Sequence, residues 1–435
     1  MTRSAASRLA LSSLLALMGV SMLRGQSSQA GIDSLTMDQA VKLALEHHPS
    51  LLAAAAGVEI AGAGLTQARA AYYPSLTGSA SLVRTDGAFV LNPTFPPRNQ
   101  SYNTYSAGLQ VQQTIFDFGR TIGRVSAGGG FVDAANSDRE GTLQSVVMNV
   151  ELAYFDLMQA TEVVGVDQEA VSQANEHLRQ AKAFYSVGRR PQSDVTKAEV
   201  DVANAEVNLI RARNQMRLAK VALENSMGVH PAGVYKIREA FEVPPFNLTL
   251  DSAQTYAALS RPELLASQAR VGADRSLATA AWDQHLPVIS ASGNWTWSNF
   301  DFPLFSRWTA GVTLSVPIFQ GFAITGQVEQ ARATADAEEA NFALLRESVR
   351  EEVELNYLSL REAEERIAAA TKLVDLAEEN FRLADRQYAA GVGTAIDAAD
   401  AQLSLSNARI TKIQALSDYN GFLIRLRRSI GTVGH

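Results

Sequence analysis

Side chains that can bind cations lie beside a glycine turn late in the chain. Tyr388 precedes Gly391, and Asp397 and Asp400 follow it. Asp400 comes one helical turn after Asp397, so on a helix the two carboxylates fall on one face. Carboxylates just after a turn can hold a cation, or they can simply favour the positive end of a helix dipole. The residues alone leave both interpretations open.

A second glycine turn, at Gly188, carries a different set of polar groups. Arg189 and Arg190 follow the glycine, and Ser193 and Asp194 come a few residues later. Neither turn contains a nucleophile–base pair or a pair of carboxylates arranged for acid–base work. We therefore expect no enzymatic activity and no cofactor. The adjacent histidines at 47–48 point about 100° apart on a helix, which favours a surface or capping role over a metal site.

The two turns correspond because the second half of the chain repeats the first. A shift of 203 positions aligns residues 115–228 with 318–431 and places Gly188 on Gly391. Apolar residues recur every seven positions in the second copy, at Val353, Leu360, Ile367, Val374, Phe381 and Tyr388. The first copy has Val150, Leu157, Val164, Val171, Leu178 and Tyr185. A heptad pattern with small residues three positions later predicts one long, closely packed helix per copy. We expect Tyr185 to pack in this seam, whereas seam packing and a lining role both stay open for Tyr388.

Upstream of each long helix the periodicity changes from helical to alternating. Residues 75–118 and 288–320 each predict a pair of strands with one apolar and one small polar face. Trp295, Trp297 and Trp308 cluster near the second hairpin turn. Such strands suit a half-buried soluble sheet or a transmembrane barrel with an aromatic girdle. The first copy has ten extra residues, which we assign to a longer loop around 87–103.

These signals divide the chain into two structural repeats. The first repeat covers 31–228, with long helices at about 119–187 and 193–228, and an irregular linker follows at 229–247. The second covers 248–435, with helices at about 321–390 and 396–431. A helix of roughly 70 residues is about 105 Å long. The three glycines at 128–130 predict a bend in the first long helix.

The N-terminus and the composition indicate an exported protein. Residues 1–30 read as a signal peptide, with a positive region, an apolar core and a cleavage site at Ser28-Gln29-Ala30. We find no other stretch that is long and apolar enough for a transmembrane helix. The chain has no cysteine, and its net charge of −7 argues against a nucleic-acid partner.

Four strands per chain cannot close a barrel, and an open edge in lipid leaves backbone groups unpaired. Closure shared by three chains would give a barrel of about 12 strands. The long helices would then continue from the barrel into the periplasm. This geometry predicts a conduit.

At this point the chain resembles the TolC-type outer-membrane efflux proteins. The similarity is carried by the motif LT-x-D-x-A…P-x-LL, the duplicated hairpin and the tip YS-V-G…SDV. It implies a mixed α and β fold, namely a homotrimer with a 12-stranded β-barrel in outer-membrane lipid and a periplasmic α-helical barrel. It also implies a passive exit duct that receives substrates through a periplasmic adaptor from an inner-membrane pump of the RND, ABC or MFS class. The alternative is a structural coiled-coil envelope protein or adhesin without channel activity.

The resemblance also assigns residues to a periplasmic gate. Tyr388, Asp397 and Asp400 match the family's constriction, and Ser193 and Asp194 match the partners across it. The arginine of the family is replaced by Gly393, so Arg189 or Arg190 would have to supply the cation. The adaptor-docking tips implied by the family are Val187, Gly188, Gly391 and Val392.

Overall fold

The computed structural model describes residues 34–89, 98–229, 236–237 and 241–432, so the predicted signal peptide lies outside the described residues. The strands are β1 (Ser34–Leu35), β2 (Ser75–Phe89), β3 (Arg98–Phe116), β4 (Lys236–Ile237), β5 (Val288–Asn299) and β6 (Phe305–Ser315). The helices are α1 (Met37–His47), α2 (Pro49–Arg69), α3 (Arg120–Ser186), α4 (Gln192–Ser226), α5 (Leu250–Ser260), α6 (Pro262–Trp282), α7 (Ala323–Ala389) and α8 (Ala395–Ser429).

The internal repeat is reproduced helix by helix. α7 and α8 have the bounds of α3 and α4 displaced by 203 positions, and α5 and α6 have those of α1 and α2 displaced by 213. α3 and α7 contain 67 residues each, which corresponds to about 100 Å. Seam residues of both copies are buried, for example Val150 and Val353. The mixed fold with four strands and long helices per chain is therefore confirmed.

The two hairpins form one antiparallel sheet in the order β2-β3-β5-β6. Trp295 of β5 pairs directly with Trp308 of β6, in agreement with a cluster near the turn. The large apolar residues on these strands are exposed in the protomer, among them Leu76, Val312 and Leu314. Within the described residues, the outer edges of β2 and β6 pair with no further strand. The sheet is thus open on both sides and apolar on its surface.

Most of the extra residues of the first repeat lie in longer strands rather than in the loop around 87–103 that the sequence predicted. β2 and β3 have 15 and 19 residues, against 12 and 11 for β5 and β6. Their ladder continues from Ser75↔Gln112 to Phe89↔Arg98. Glycine and asparagine within 87–103 suggested a turn, but cross-strand hydrogen bonds hold part of this segment extended.

The short helices lie against the upper half of the long ones. α2 packs on α3, while α6 packs on both α3 and α7. One helix, Pro49–Tyr72 with 24 residues, is long and apolar enough to cross a membrane, although none of its apolar window is buried in the protomer. By length and composition, this helix corrects the expectation that no stretch beyond the N-terminal segment could span a membrane; alanine and glycine make up much of it. His48 caps α2 by accepting a hydrogen bond from the Ser50 amide at 3.2 Å.

The glycine run in α3 permits close packing and does not break the helix. α3 is continuous through 128–130. A Cβ at Gly128 would lie 3.2 Å from Leu65 of α2, and one at Gly130 would lie 3.1 Å from the Ala273 Cβ of α6. The missing side chains at these glycines therefore let α2 and α6 approach the backbone of α3 closely.

Two apolar clusters anchor the helices midway along the molecule. In the first repeat, the Tyr154 hydroxyl donates to the Leu35 carbonyl at 3.1 Å. In the second, the Tyr419 hydroxyl donates to the Pro244 carbonyl at 2.6 Å. Below these clusters, the hairpins α3–α4 and α7–α8 extend to two tips. The candidate site lies there.

Candidate periplasmic gate and tips

Each tip reverses direction through a glycine in the left-handed region. Gly188 has φ of 71° and Gly391 has φ of 83°. Side chains other than glycine are strained in this conformation, so the glycines permit the helices to end abruptly. Beside them, Val187 and Val392 are exposed apolar residues. Both tips therefore present an apolar side chain next to bare backbone.

The second tip begins its return helix with a capping box. The Thr394 hydroxyl donates to the Asp397 carboxylate at 2.6 Å and accepts a hydrogen bond from the Asp397 amide at 3.1 Å. The Asp397 carboxylate also accepts from the Thr394 amide at 3.3 Å. Asp397 therefore caps the start of α8, which is one of the two roles that the sequence left open for it. Asp400, one turn further, is exposed.

The first tip has no equivalent cap. α4 begins after Pro191, which makes no side-chain capping hydrogen bond. Ser193 is exposed, and Asp194 is half-buried. Burial, followed by the negative charge of Asp194, raises the pKa of the Tyr388 hydroxyl, and the positive charge of Arg190 opposes this shift.

Arg190 joins the first tip to the second. Its guanidinium donates to the Gly393 carbonyl at 2.5 Å, lies 3.5 Å from the Gly391 carbonyl and is 5.9 Å from the centre of the Tyr388 ring. Arg190 and Gly393 occupy equivalent positions of the two repeats. Its neighbour Arg189 is exposed. Of the two predicted arginines, Arg190 is the one that the fold brings to Gly393.

Tyr388 is buried between the two hairpins, with an exposed fraction of 1%. Its ring contacts Phe184 edge-on at 5.9 Å. Tyr185, which the heptad assigned to the seam, is instead 47% exposed, so that prediction is wrong. Phe184, the preceding residue of α3, faces the second hairpin in its place.

His177 belongs to this cluster, although the sequence analysis did not identify it. Its ring lies 6.0 Å from that of Tyr388, and its Nε2 is 4.0 Å from the Asp385 carboxylate. His177 precedes Phe184 by seven residues, so both lie on one face of α3. That spacing was the available signal, but only the docking of the two hairpins shows that this face meets α7.

A sequence model described as "Outer membrane efflux protein" matches residues 40–229 and 255–432 of the chain. The two matched segments include the long hairpins and most of the sheet. They leave out the segment between the repeats.

Two curated proteins are similar over nearly the whole chain. "Outer membrane efflux protein BepC" of Brucella suis is 24% identical over 92% of this chain and 86% of its own length. "Outer membrane protein TolC" of Escherichia coli is 25% identical over 96% of this chain and 86% of its own length. The solved CmeC outer membrane channel of Campylobacter jejuni has a TM-score of 0.82 at 20% identity, covering 91% of this chain and 85% of that one. This last likeness establishes a shared fold.

Proposed function

The chain belongs to the outer membrane efflux protein family, and we propose that three copies of it form one passive, non-enzymatic duct. The protein is an outer-membrane exit duct for efflux that extends into the periplasm. The single observation that carries the trimer is the four-stranded sheet with both edges unpaired, continued by helices of 67 residues.

Neighbouring copies would provide hydrogen-bond partners for the strand edges that are unpaired in a single protomer. β6 of one copy would pair with β2 of the next, so that three sheets form a 12-stranded barrel with no unpaired edge in lipid. The apolar residues exposed on the strands suit the lipid face of such a barrel. The exposed helix α2 lies at the edge of the protomer and would pack against the adjacent copy.

We further propose that the tips act as the periplasmic gate and docking point. Asp397 and Asp400, with Ser193 and Asp194, would surround the constriction. Tyr388 would pack behind them, and Arg190 would hold the tips together in the closed state. The exposed Val187 and Val392, beside Gly188 and Gly391, would contact a periplasmic adaptor. The adaptor would connect the duct to an inner-membrane pump of the RND, ABC or MFS class.

Two measurements on the purified protein test the proposal. Cross-linking in detergent should stop at three protomers. Because the chain has no cysteine, cysteines introduced into β2 and β6 should form disulfides only between protomers. In planar bilayers the protein should produce stepwise increases in current. The conductance of each step should increase when substitutions weaken the contact between the tips.

A stable monomer in detergent, or a trimer that never conducts even after substitutions at the tips, would contradict the duct. The second result would instead favour the structural coiled-coil or adhesin alternative. A matched control is a cysteine pair in β3 and β5, which are neighbours in the same sheet. That pair should form disulfides within one protomer.

A further inference from the structure

A cavity of about 390 Å³ lies above the tips, between α3, α4 and α8. Ligand pockets usually have about 300–1,000 Å³, so the space suits a small organic molecule. Its polar lining includes Asp167, His177, Lys197, Asp201, Asp400 and Gln402. Three of these are carboxylates and one is an ammonium, so acidic groups predominate.

Asp167 is the unusual member of this lining. It is only 9% exposed, and within the described residues it makes no hydrogen bond or ion pair. Burial raises the pKa of its carboxyl. The equivalent position of the second repeat holds Ala370, which is a small seam residue. The first repeat therefore has a buried, unpartnered acid where packing requires only an alanine.

Other buried groups around the cavity also lack partners, and most are acceptors. The Gln402 Oε1 is buried and accepts no hydrogen bond, and neither ring nitrogen of His177 has a hydrogen-bond partner. A neutral imidazole offers one acceptor and one donor. Lys197 does not compensate Asp167, because its ammonium lies 2.5 Å from the Asp201 carboxylate. The buried groups around the cavity that have no hydrogen-bond partner are thus mainly acceptors.

The apolar part of the wall includes Ala170, Ala174, Leu403 and Ile410, and the neutral polar part consists of amides and a hydroxyl, namely Asn204, Asn208, Ser406 and Asn407. Within the described parts of the chain, no three His, Asp or Glu side chains converge as metal ligands would. We propose that this cavity binds a small monovalent organic cation, such as a protonated amidine or amine. The N–H groups of the cation donate to the Asp167 carboxylate, and its apolar part lies against the neighbouring apolar wall, which includes Ala170.

The cavity extends along the helices toward the tips. Tyr388 and Asp400 line its lower part, whereas Asp167 comes ten residues before His177 on α3, which corresponds to about 15 Å. A cation at Asp167 therefore lies well above the contact between the tips. The proposal depends on the cavity within one protomer and does not require that the protein conduct. A negative result in the binding experiment would therefore leave the proposed duct untouched, and a protein that does not conduct could still bind the cation.

The test uses the full-length protein in detergent with p-aminobenzamidine as the probe. Binding is measured by titration calorimetry at pH 7, beside the uncharged p-aminobenzamide, which has nearly the same shape. Asp167→Asn removes the charge, and Asp167→Ala introduces the residue type that the second repeat has at this position. The control is Asp133→Asn, the same substitution at an exposed aspartate of α3.

We expect the amidine to bind wild type and the control equally, and both Asp167 variants at least about tenfold more weakly. The uncharged amide should bind weakly to all four proteins. Equal binding to wild type and to Asp167→Asn would overturn the proposal, as would equal binding of the amide and the amidine. No detectable binding to a correctly assembled wild type would overturn it as well. Thermal unfolding of each variant shows whether a loss of binding reflects a loss of fold.

Discussion

The two tips have related sequences but contribute different chemistry. GRRPQSD at 188–194 and GVGTAID at 391–397 align without a gap. The first supplies the cation, Arg190, but begins its return helix at Pro191 without a side-chain cap. The second lacks the cation at Gly393 but begins its helix with a Thr394–Asp397 capping box. The first tip therefore donates hydrogen bonds through Arg190, and the second accepts them through its backbone carbonyls.

The largest expected effect concerns the carboxylates of the second tip. If Asp397 and Asp400 surround the entrance of a trimer, six carboxylates face one axis and should bind multivalent cations. Asp397→Ala with Asp400→Ala should weaken block by divalent or trivalent cations from the periplasmic side by about 100-fold, since charge-assisted contacts are lost. Conductance in planar bilayers measures the block. Asp375→Ala, an exposed aspartate higher on α7, is the control, and wild-type block in the double variant would show that these residues do not form the entrance.

The second prediction breaks the link between the tips. Arg190→Ala removes the hydrogen bond to the Gly393 carbonyl and the contact with the Tyr388 ring. A hydrogen bond from a charged group contributes about 1.5–3 kcal/mol, so the open fraction should rise by about tenfold or more. Single-channel recordings measure it. Arg189→Ala is a matched control because the neighbouring arginine is exposed. Equal open fractions for the two variants would mean that Arg190 does not restrain the gate.

The third prediction exchanges the caps and has the smallest effect. Thr394→Ala should destabilise the start of α8 by about 1 kcal/mol, because Asp397 loses its reciprocal partner. Pro191→Thr should instead stabilise the start of α4, since Asp194 already stands three residues later. Hydrogen exchange of the first-turn amides measures both changes. Opposite changes in protection are expected, and unchanged exchange at α4 would show that the first tip cannot adopt the capped geometry.

The predictions made from sequence succeeded where the signal was local. Heptad spacing indicated the two long helices, alternation indicated four strands, and glycines at equivalent positions indicated the tips. The resemblance to TolC-type proteins is confirmed by the family match. Errors arose where neighbouring elements override a local preference. Part of 87–103 belongs to a strand ladder, because pairing with the opposite strand holds it extended. The glycine run at 128–130 did not by itself show that α2 and α6 pack closely on α3 there.

Periodicity and duplication by themselves determined the fold class, the order of elements and the positions of the tips, because residue spacing along a helix or strand fixes which side chains share a face. Only the tertiary structure decided which faces meet. The contact of Arg190 with Gly393, the burial of Tyr388 against His177, and the cavity beside Asp167 join residues about 200 positions apart. Such contacts depend on how the two hairpins dock, and the heptad pattern alone did not show that Phe184 rather than Tyr185 meets Tyr388.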